Sequence, residues 1–185
     1  MGTNHRPALT IGMAHFDDFH GLYFSVQALR VYHAAHRPEI ELVVVDNSPT
    51  SPHGKMVKSF LEGGGGGVGF AGVQYVAHAE NTGTSATRNL IFAHATGEAV
   101  LVMDCHVLLE PGAVDRLLGY YAAHPDTPDI LSGPLVYDSL QHITPHFDDR
   151  WRGEMWGTWG AAWQCGCGPE GVQFALVEDA GMATP

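Results

Sequence analysis

The sequence predicts a doubly wound α/β fold on a mostly parallel sheet. Four short apolar runs have strand length: residues 8–14 (ALTIGMA), 40–45 (IELVVV), 73–77 (VQYVA) and 99–103 (AVLVM). Stretches with apolar residues at helical spacing lie between them. Strand and helix alternate four times, and right-handed crossovers of this length join parallel neighbours.

Residues 1–7 read as a leader ahead of the first strand, 8–14, which ends at His15-Phe16-Asp17-Asp18. A helix over 21–36 follows, with Leu22, Val26 and Leu29 on one face and Pro38 closing it. Strand 40–45 ends in Asp46-Asn47-Ser48-Pro49, which is turn chemistry. A helix over 55–61 leads into five glycines, Gly63 to Gly67, read as a flexible loop. Within it Gly67-Val68-Gly69-Phe70-Ala71-Gly72 spells G-x-G-x-x-G. That pattern cradles a pyrophosphate only where it follows a strand and opens a helix; here it precedes a strand, so a dinucleotide site is rejected.

After strand 73–77, Thr84 or Ser85 can cap a helix carrying Ala86, Leu90 and Ala93 on one face, with Gly97 as its stop. Residues 99–103 form a continuous apolar run suited to a strand buried on both faces. Pro111 fits the first turn of a further helix, whose Val114, Leu117, Leu118 and Tyr121 share a face up to His124-Pro125. Residues 129–137 and 172–177 are further strand candidates. Composition changes near 138: all four tryptophans fall between Trp151 and Trp163, in a segment that reads as a sugar-stacking lid or a local mini-core. The expected organisation is an α/β half over 1–137 and a Trp/Gly-rich segment over 138–185, its C-terminal part incomplete.

The chain has 185 residues, 45% of them hydrophobic, enough for a substantial core. A formal charge of −11 argues against a nucleic-acid surface. Three cysteines, no evident signal peptide and no apolar run of membrane-spanning length predict a cytoplasmic protein without a transmembrane segment.

Asp17, Asp46 and Asp104 each follow a strand, so a parallel sheet brings them to one edge, where ligands of such sheets bind. Carboxylates gathered there repel unless a cation or donors compensate, and Arg88 is the available charge. Asp104 and His106 are one residue apart; in extended backbone they share a side and can meet one ion, with Cys105 turned away. The alternative is an ordinary surface turn.

The segments Leu9-Thr10-Ile11-Gly12-Met13-Ala14-His15-Phe16-Asp17, Val43-Val44-Val45-Asp46-Asn47-Ser48, Asn81-Thr82-Gly83 through Arg88-Asn89 with Ala95-Thr96-Gly97-Glu98, and Val102-Met103-Asp104-Cys105-His106 occur in the order and spacing of a known family. Over about residues 8–137 the chain resembles the family-2 glycosyltransferases, inverting enzymes with the Rossmann-like GT-A fold. It carries D-x-H where that family has D-x-D, and His15 where a Thr is usual.

The resemblance implies a nucleoside-diphosphate sugar donor, with a lean to UDP, and an unknown carbohydrate, lipid or protein acceptor. Asp46, with Asn47 beside it, would contact the base or ribose. Ala14, His15 and Asp17 would line the same pocket, and Arg88 would lie near the base or phosphates. Asp104 and His106 would meet Mn²⁺, or Mg²⁺; imidazole favours manganese. The family's general base follows the metal motif, and Glu178-Asp179 answers that description superficially. A non-catalytic nucleotide-sugar-binding module, or a fragment lacking the base, is the alternative. From the residues alone, His146 can complete the Asp104/His106 shell, and His142, His146, Cys165 and Cys167 could instead form a zinc site.

Overall fold

The computed structural model describes residues 6–79, 83–128 and 130–131 in full, and residues 146–151 and 156–160 by their backbone. The chain divides into two compact units, Met1–Pro125 and Asp126–Pro185. Of the second, the described part is an antiparallel hairpin, β5 (His146–Trp151) with β6 (Trp156–Gly160), whose register shifts between Asp148 and Trp151. The sequence reading placed no strand there because its periodicity is weak. The expected strands at 129–137 and 172–177 lie outside the described residues, apart from two isolated positions.

The first unit is the expected parallel sheet. Its strands are β1 (Leu9–His15), β2 (Ile40–Asp46), β3 (Gly72–Ala77) and β4 (Ala99–Asp104), in the order β3-β2-β1-β4. All three pairings are parallel. The helices are α1 (Phe19–Tyr32), α2 (Pro52–Glu62), α3 (Gly83–His94) and α4 (Ala113–Ala123). The chain steps outward from β1 through β2 to β3, then returns across the sheet to β4 on the other side of β1. The C-terminal ends of β1 and β4 therefore flank a topological switch point, the place where open α/β sheets bind ligands.

Alternation along the strands divides the core. Leu9, Ile11 and Met13 of β1, with Ile40, Leu42 and Val44 of β2, pack with Leu22, Val26 and Leu29 of α1, Val57 and Leu61 of α2 and Val114 of α4. Val43 and Val45 face the other way, onto Ile91 of α3. Each such side chain contributes about 1.5–3 kcal/mol through burial.

Several boundaries differ from the sequence reading for identifiable reasons. Helix α1 starts at Phe19 because Asp18 caps it, accepting from the Gly21 N–H at 2.9 Å. It ends at Tyr32, and a 3₁₀ turn over Ala34–Glu39 accommodates Pro38. Ser51 caps α2 with Pro52 in its first turn, so that helix begins earlier than residue 55. The glycine tract forms successive turns: Gly63 closes α2, Gly64 and Gly69 have positive φ, and Gly72 opens β3. The buried face of α3 is Thr87 and Ile91, one position round from the expected Ala86, Leu90 and Ala93. Strand β4, the last strand of the sheet among the described residues, packs on both faces, Ala99 and Leu101 toward the α1 side and Val100 and Val102 toward Ile91, with most of its side chains half-buried. Pro111 precedes α4, which starts after Gly112 in left-handed backbone.

One contact sets how closely α3 approaches the sheet. A Cβ on Gly12, in the centre of β1, would fall on Ile91 Cγ2. Gly12→Ala should cost about 1–3 kcal/mol by overpacking. In urea unfolding, Gly12→Ala combined with Ile91→Ala, which removes the clashing Cγ2, should lose less stability than the sum of the two single changes.

Candidate functional site

The switch-point rim is built by the turns after β1, β2 and β4. The register pairs His15 with Asp46 and Ala14 with Asp104, so both carboxylates stand at the same end of the sheet. They share an end but not a face. Asp46 continues the series Leu42, Val44 toward α1 and α2, whereas Asp104 continues Val100, Val102 toward α3. The expected convergence is thus divided by the sheet: Asp46 and Asp104 stand on opposite faces and are compensated separately.

Asp46 is fully buried. Its Oδ1 accepts from His15 Nδ1 at 2.8 Å and from the Ser48 N–H and hydroxyl at 2.9 and 3.3 Å. Its Oδ2 accepts from the Tyr75 hydroxyl at 2.8 Å. The first turn of α2 is pressed onto the same group: a Cβ on Gly54 would stand 2.8 Å from Asp46 Oδ2. Helix N-termini favour negative charge there. Burial alone would raise the Asp46 pKa, but the bonds from His15, Ser48 and Tyr75 outweigh it and hold the group below the usual carboxylate range. Asn47, also buried, donates its backbone N–H to the His15 carbonyl at 2.9 Å.

His15 transmits this order to the turn before α1. Its Nε2 accepts the Asp18 N–H at 3.0 Å, which places the ring proton on Nδ1, facing Asp46. Asp17 takes a left-handed φ of 49°, which Asp tolerates. Its N–H donates to Ser48 Oγ at 2.7 Å, and its carbonyl lies 2.7 Å from His53 Nδ1. Ala14, half-buried, pairs with Val45 and Asp104 across the two neighbouring strands.

On the α3 face, Arg88 Nη2 bonds Asp104 Oδ1 at 2.5 Å, each side chain 43% exposed. The compensating charge stands where the sequence put it. Arg88 Nε is enclosed and has no hydrogen-bond partner among the described residues. Extended backbone stops at Asp104, because Cys105 and His106 turn and the Val107 N–H bonds the Asp104 carbonyl at 3.2 Å. The alternation assumed for Asp104 and His106 therefore does not continue. His106 instead faces Asp18, with Nδ1 3.4 Å from Oδ2. Cys105 is buried against the α1 side, and burial with the nearby Asp18 and Asp104 charges pushes its thiol up to about 11.

Three contributors were missed from sequence. Asp18 was masked by an α1 start placed too late, although an Asp ahead of an apolar helix is a cap signal. Ser25, a polar residue inside the buried Leu22/Val26/Leu29 stripe, has its Oγ 2.9 Å from the carbonyls of both Cys105 and Val107 and ties the D-x-H turn to α1. Tyr75 gave no signal, since its partner is on another strand. Glu178, Asp179, His142, Cys165 and Cys167 lie outside the described residues, as does the side chain of His146.

The fold is a Rossmann-like α/β domain with acidic and histidine side chains grouped at its switch point. The family model described as glycosyl transferase family 2 matches residues 11–165, and the chain belongs to that family. TarS of S. aureus in complex with UDP-GlcNAc aligns with a TM-score of 0.50 and 17% identity over 63% of this chain and 32% of that one. The mannosyltransferase PcManGT from Pyrobaculum calidifontis, in complex with GDP-Man and Mn²⁺, aligns with a TM-score of 0.51 and 22% identity over 72% of this chain and 36% of that one. These likenesses are of fold, and the chain spans about a third of each of those two structures. A search of curated proteins found no match.

Two stability predictions follow from the buried carboxylates. Glu41, near the start of β2, is also held below its usual range: burial raises its pKa, but bonds from the Thr96 N–H, Gln74 and Thr10 outweigh that. Both acids bind protons less readily folded than unfolded. Their stabilisation is therefore complete above the unfolded values, near pH 4, and is lost as pH falls through the lower folded ones. Thermal unfolding should show a Tm that drops below pH 4. Tyr75→Phe, which removes one donor to Asp46, should cost about 1–2 kcal/mol at pH 7 and less at pH 3.

Proposed function

We propose that the chain binds a nucleoside-diphosphate sugar, most simply a UDP-sugar, in a metal-assisted manner and supports inverting transfer of the sugar to an acceptor hydroxyl. The observation that carries this reading is the meeting, at the switch point of a family-2 glycosyltransferase fold, of the β1 turn with the β4 turn bearing Asp104 and His106.

The donor set suits a hard or borderline cation. Asp104 and His106 offer oxygen and nitrogen from side chains 43% and 64% exposed, while the Cys105 thiol is buried and protonated. Asp104 and His106, which meet Arg88 and Asp18 respectively in this structure, would hold Mn²⁺ or Mg²⁺ once a bound ion replaces the Arg88 contact of Asp104. When bound, such an ion supplies Lewis-acid stabilisation of the diphosphate leaving group. Arg88 keeps the Asp104 carboxylate oriented until the ion binds and adds positive charge beside the phosphates. The β1 turn of Ala14, His15 and Asp17, with Asp46 and Asn47 behind it, forms the nucleoside wall; Asp46 acts on that wall through His15. A proton acceptor for the attacking hydroxyl is also required, and Glu178-Asp179 is the pair the sequence offers.

Calorimetric titration with UDP and GDP, each with and without Mn²⁺, tests the reading. Tight binding of UDP should require the metal, and Asp104→Ala should abolish the metal dependence. Arg88→Ala should weaken UDP about tenfold, the loss of roughly one charge-assisted hydrogen bond. Equal affinity with and without Mn²⁺ refutes metal-assisted binding. Release of sugar from UDP-sugars, followed in the same samples, separates a transferase from a module that only binds.

A further inference from the structure

Among the described residues, one group of three metal-capable side chains converges: Asp18, Cys105 and His106, whose ligand atoms all lie within 4.8 Å of one another. Asp18 belongs to the turn after β1 and His106 to the turn after β4, so the pair spans the switch point. The carboxylate is divided in use. Oδ1 caps α1 through the Gly21 N–H, and Oδ2 faces His106 Nδ1 at 3.4 Å.

Gly21 gives this arrangement an independent mark. Glycine inside a helix is disfavoured. A Cβ at this position would overlap the Asp18 carboxylate and stand 2.8 Å from His106 Cβ. The missing methyl is the space in which the two groups come together. Ser25, one helical turn on, fixes the other side by holding the carbonyls that flank His106. Helix α1 thus contributes a cap, a gap and an anchor to one oxygen–nitrogen pair.

We propose that Asp18 is a ligand of the divalent cation and grips it together with His106 across the gap between the two turns. The inference rests on the reading that His106 holds a cation, and it adds a residue outside the D-x-H motif. Asp18 Oδ2 and His106 Nδ1 supply a carboxylate oxygen and an imidazole nitrogen, which together suit Mn²⁺. The cation would join the nucleoside wall to the metal motif, because the N–H of Asp18 is bound by His15.

The test is a Mn²⁺ titration of the whole chain without nucleotide, following the free-ion signal by electron paramagnetic resonance. Asn caps helices as well as Asp does, so Asp18→Asn keeps α1 while removing the charged ligand. It should raise the Kd for Mn²⁺ at least about tenfold with little change in Tm. Asp18→Ser, which caps but does not reach His106, should lose as much. Gly21→Ala should also weaken the ion, although alanine is the better helix former. Parent-like Mn²⁺ affinity in Asp18→Asn and Asp18→Ser, with loss in Asp104→Asn and His106→Ala, would overturn the assignment of Asp18 and leave the functional reading standing. No Mn²⁺ binding by the parent chain, with or without UDP, would overturn both.

Discussion

The hydrogen bond between His15 and Asp46 is the constraint on which the rim depends. A carboxylate excluded from water is costly unless its acceptor positions are filled. Asp46 meets that demand with donors from β1, β3 and the turn after β2. Satisfying one buried charge therefore fixes three pieces of backbone. The imidazole passes the constraint on, since its other nitrogen holds the N–H of Asp18, the residue that caps α1. In a resemblance-based reading His15 is a departure at a donor-lining position. In the structure it is the link between the sheet and the α1 cap.

The sheet separates two kinds of acidic residue at one edge. On the α1 and α2 side Asp46 is enclosed and its partners belong to the scaffold. On the α3 side Asp104 is half-exposed and paired with an arginine, so its surroundings can change when a charged ligand arrives. An exposed pair of this kind contributes little to stability and is free to serve binding. The division follows from strand alternation and one register: Asp46 is level with His15, whereas Asp104 is level with Ala14.

The fold was legible because its signals are local. Apolar runs of strand length separated by amphipathic helices give the layers, and alternation gives parallel order. Boundaries moved where caps outweighed periodicity, as at Asp18 and Ser51. The edge on which Asp46 and Asp104 stand was legible for the same reason. The face each points to was not, because a strand's final residue must be counted in register with its neighbours. Asp18 and His106 come together through a turn that ends the extended geometry, and Gly21 shows its purpose only against the residues that fill its missing side chain. Ser25 was the nearest to a missed signal, a hydroxyl set among leucines and valine.

Strand β2 carries a carboxylate near each end, Glu41 and Asp46, five positions apart and so on opposite faces. Each is buried and each has partners available at one alignment only: Thr10, Gln74 and Thr96 for the first, His15, Ser48 and Tyr75 for the second. Sliding the strand by one residue would turn both acids into apolar layers at once, without donors. The central valines, which would tolerate such a slip, are thereby denied it. The two acids act as a key cut on both faces, so that one alignment of β2 alone satisfies both.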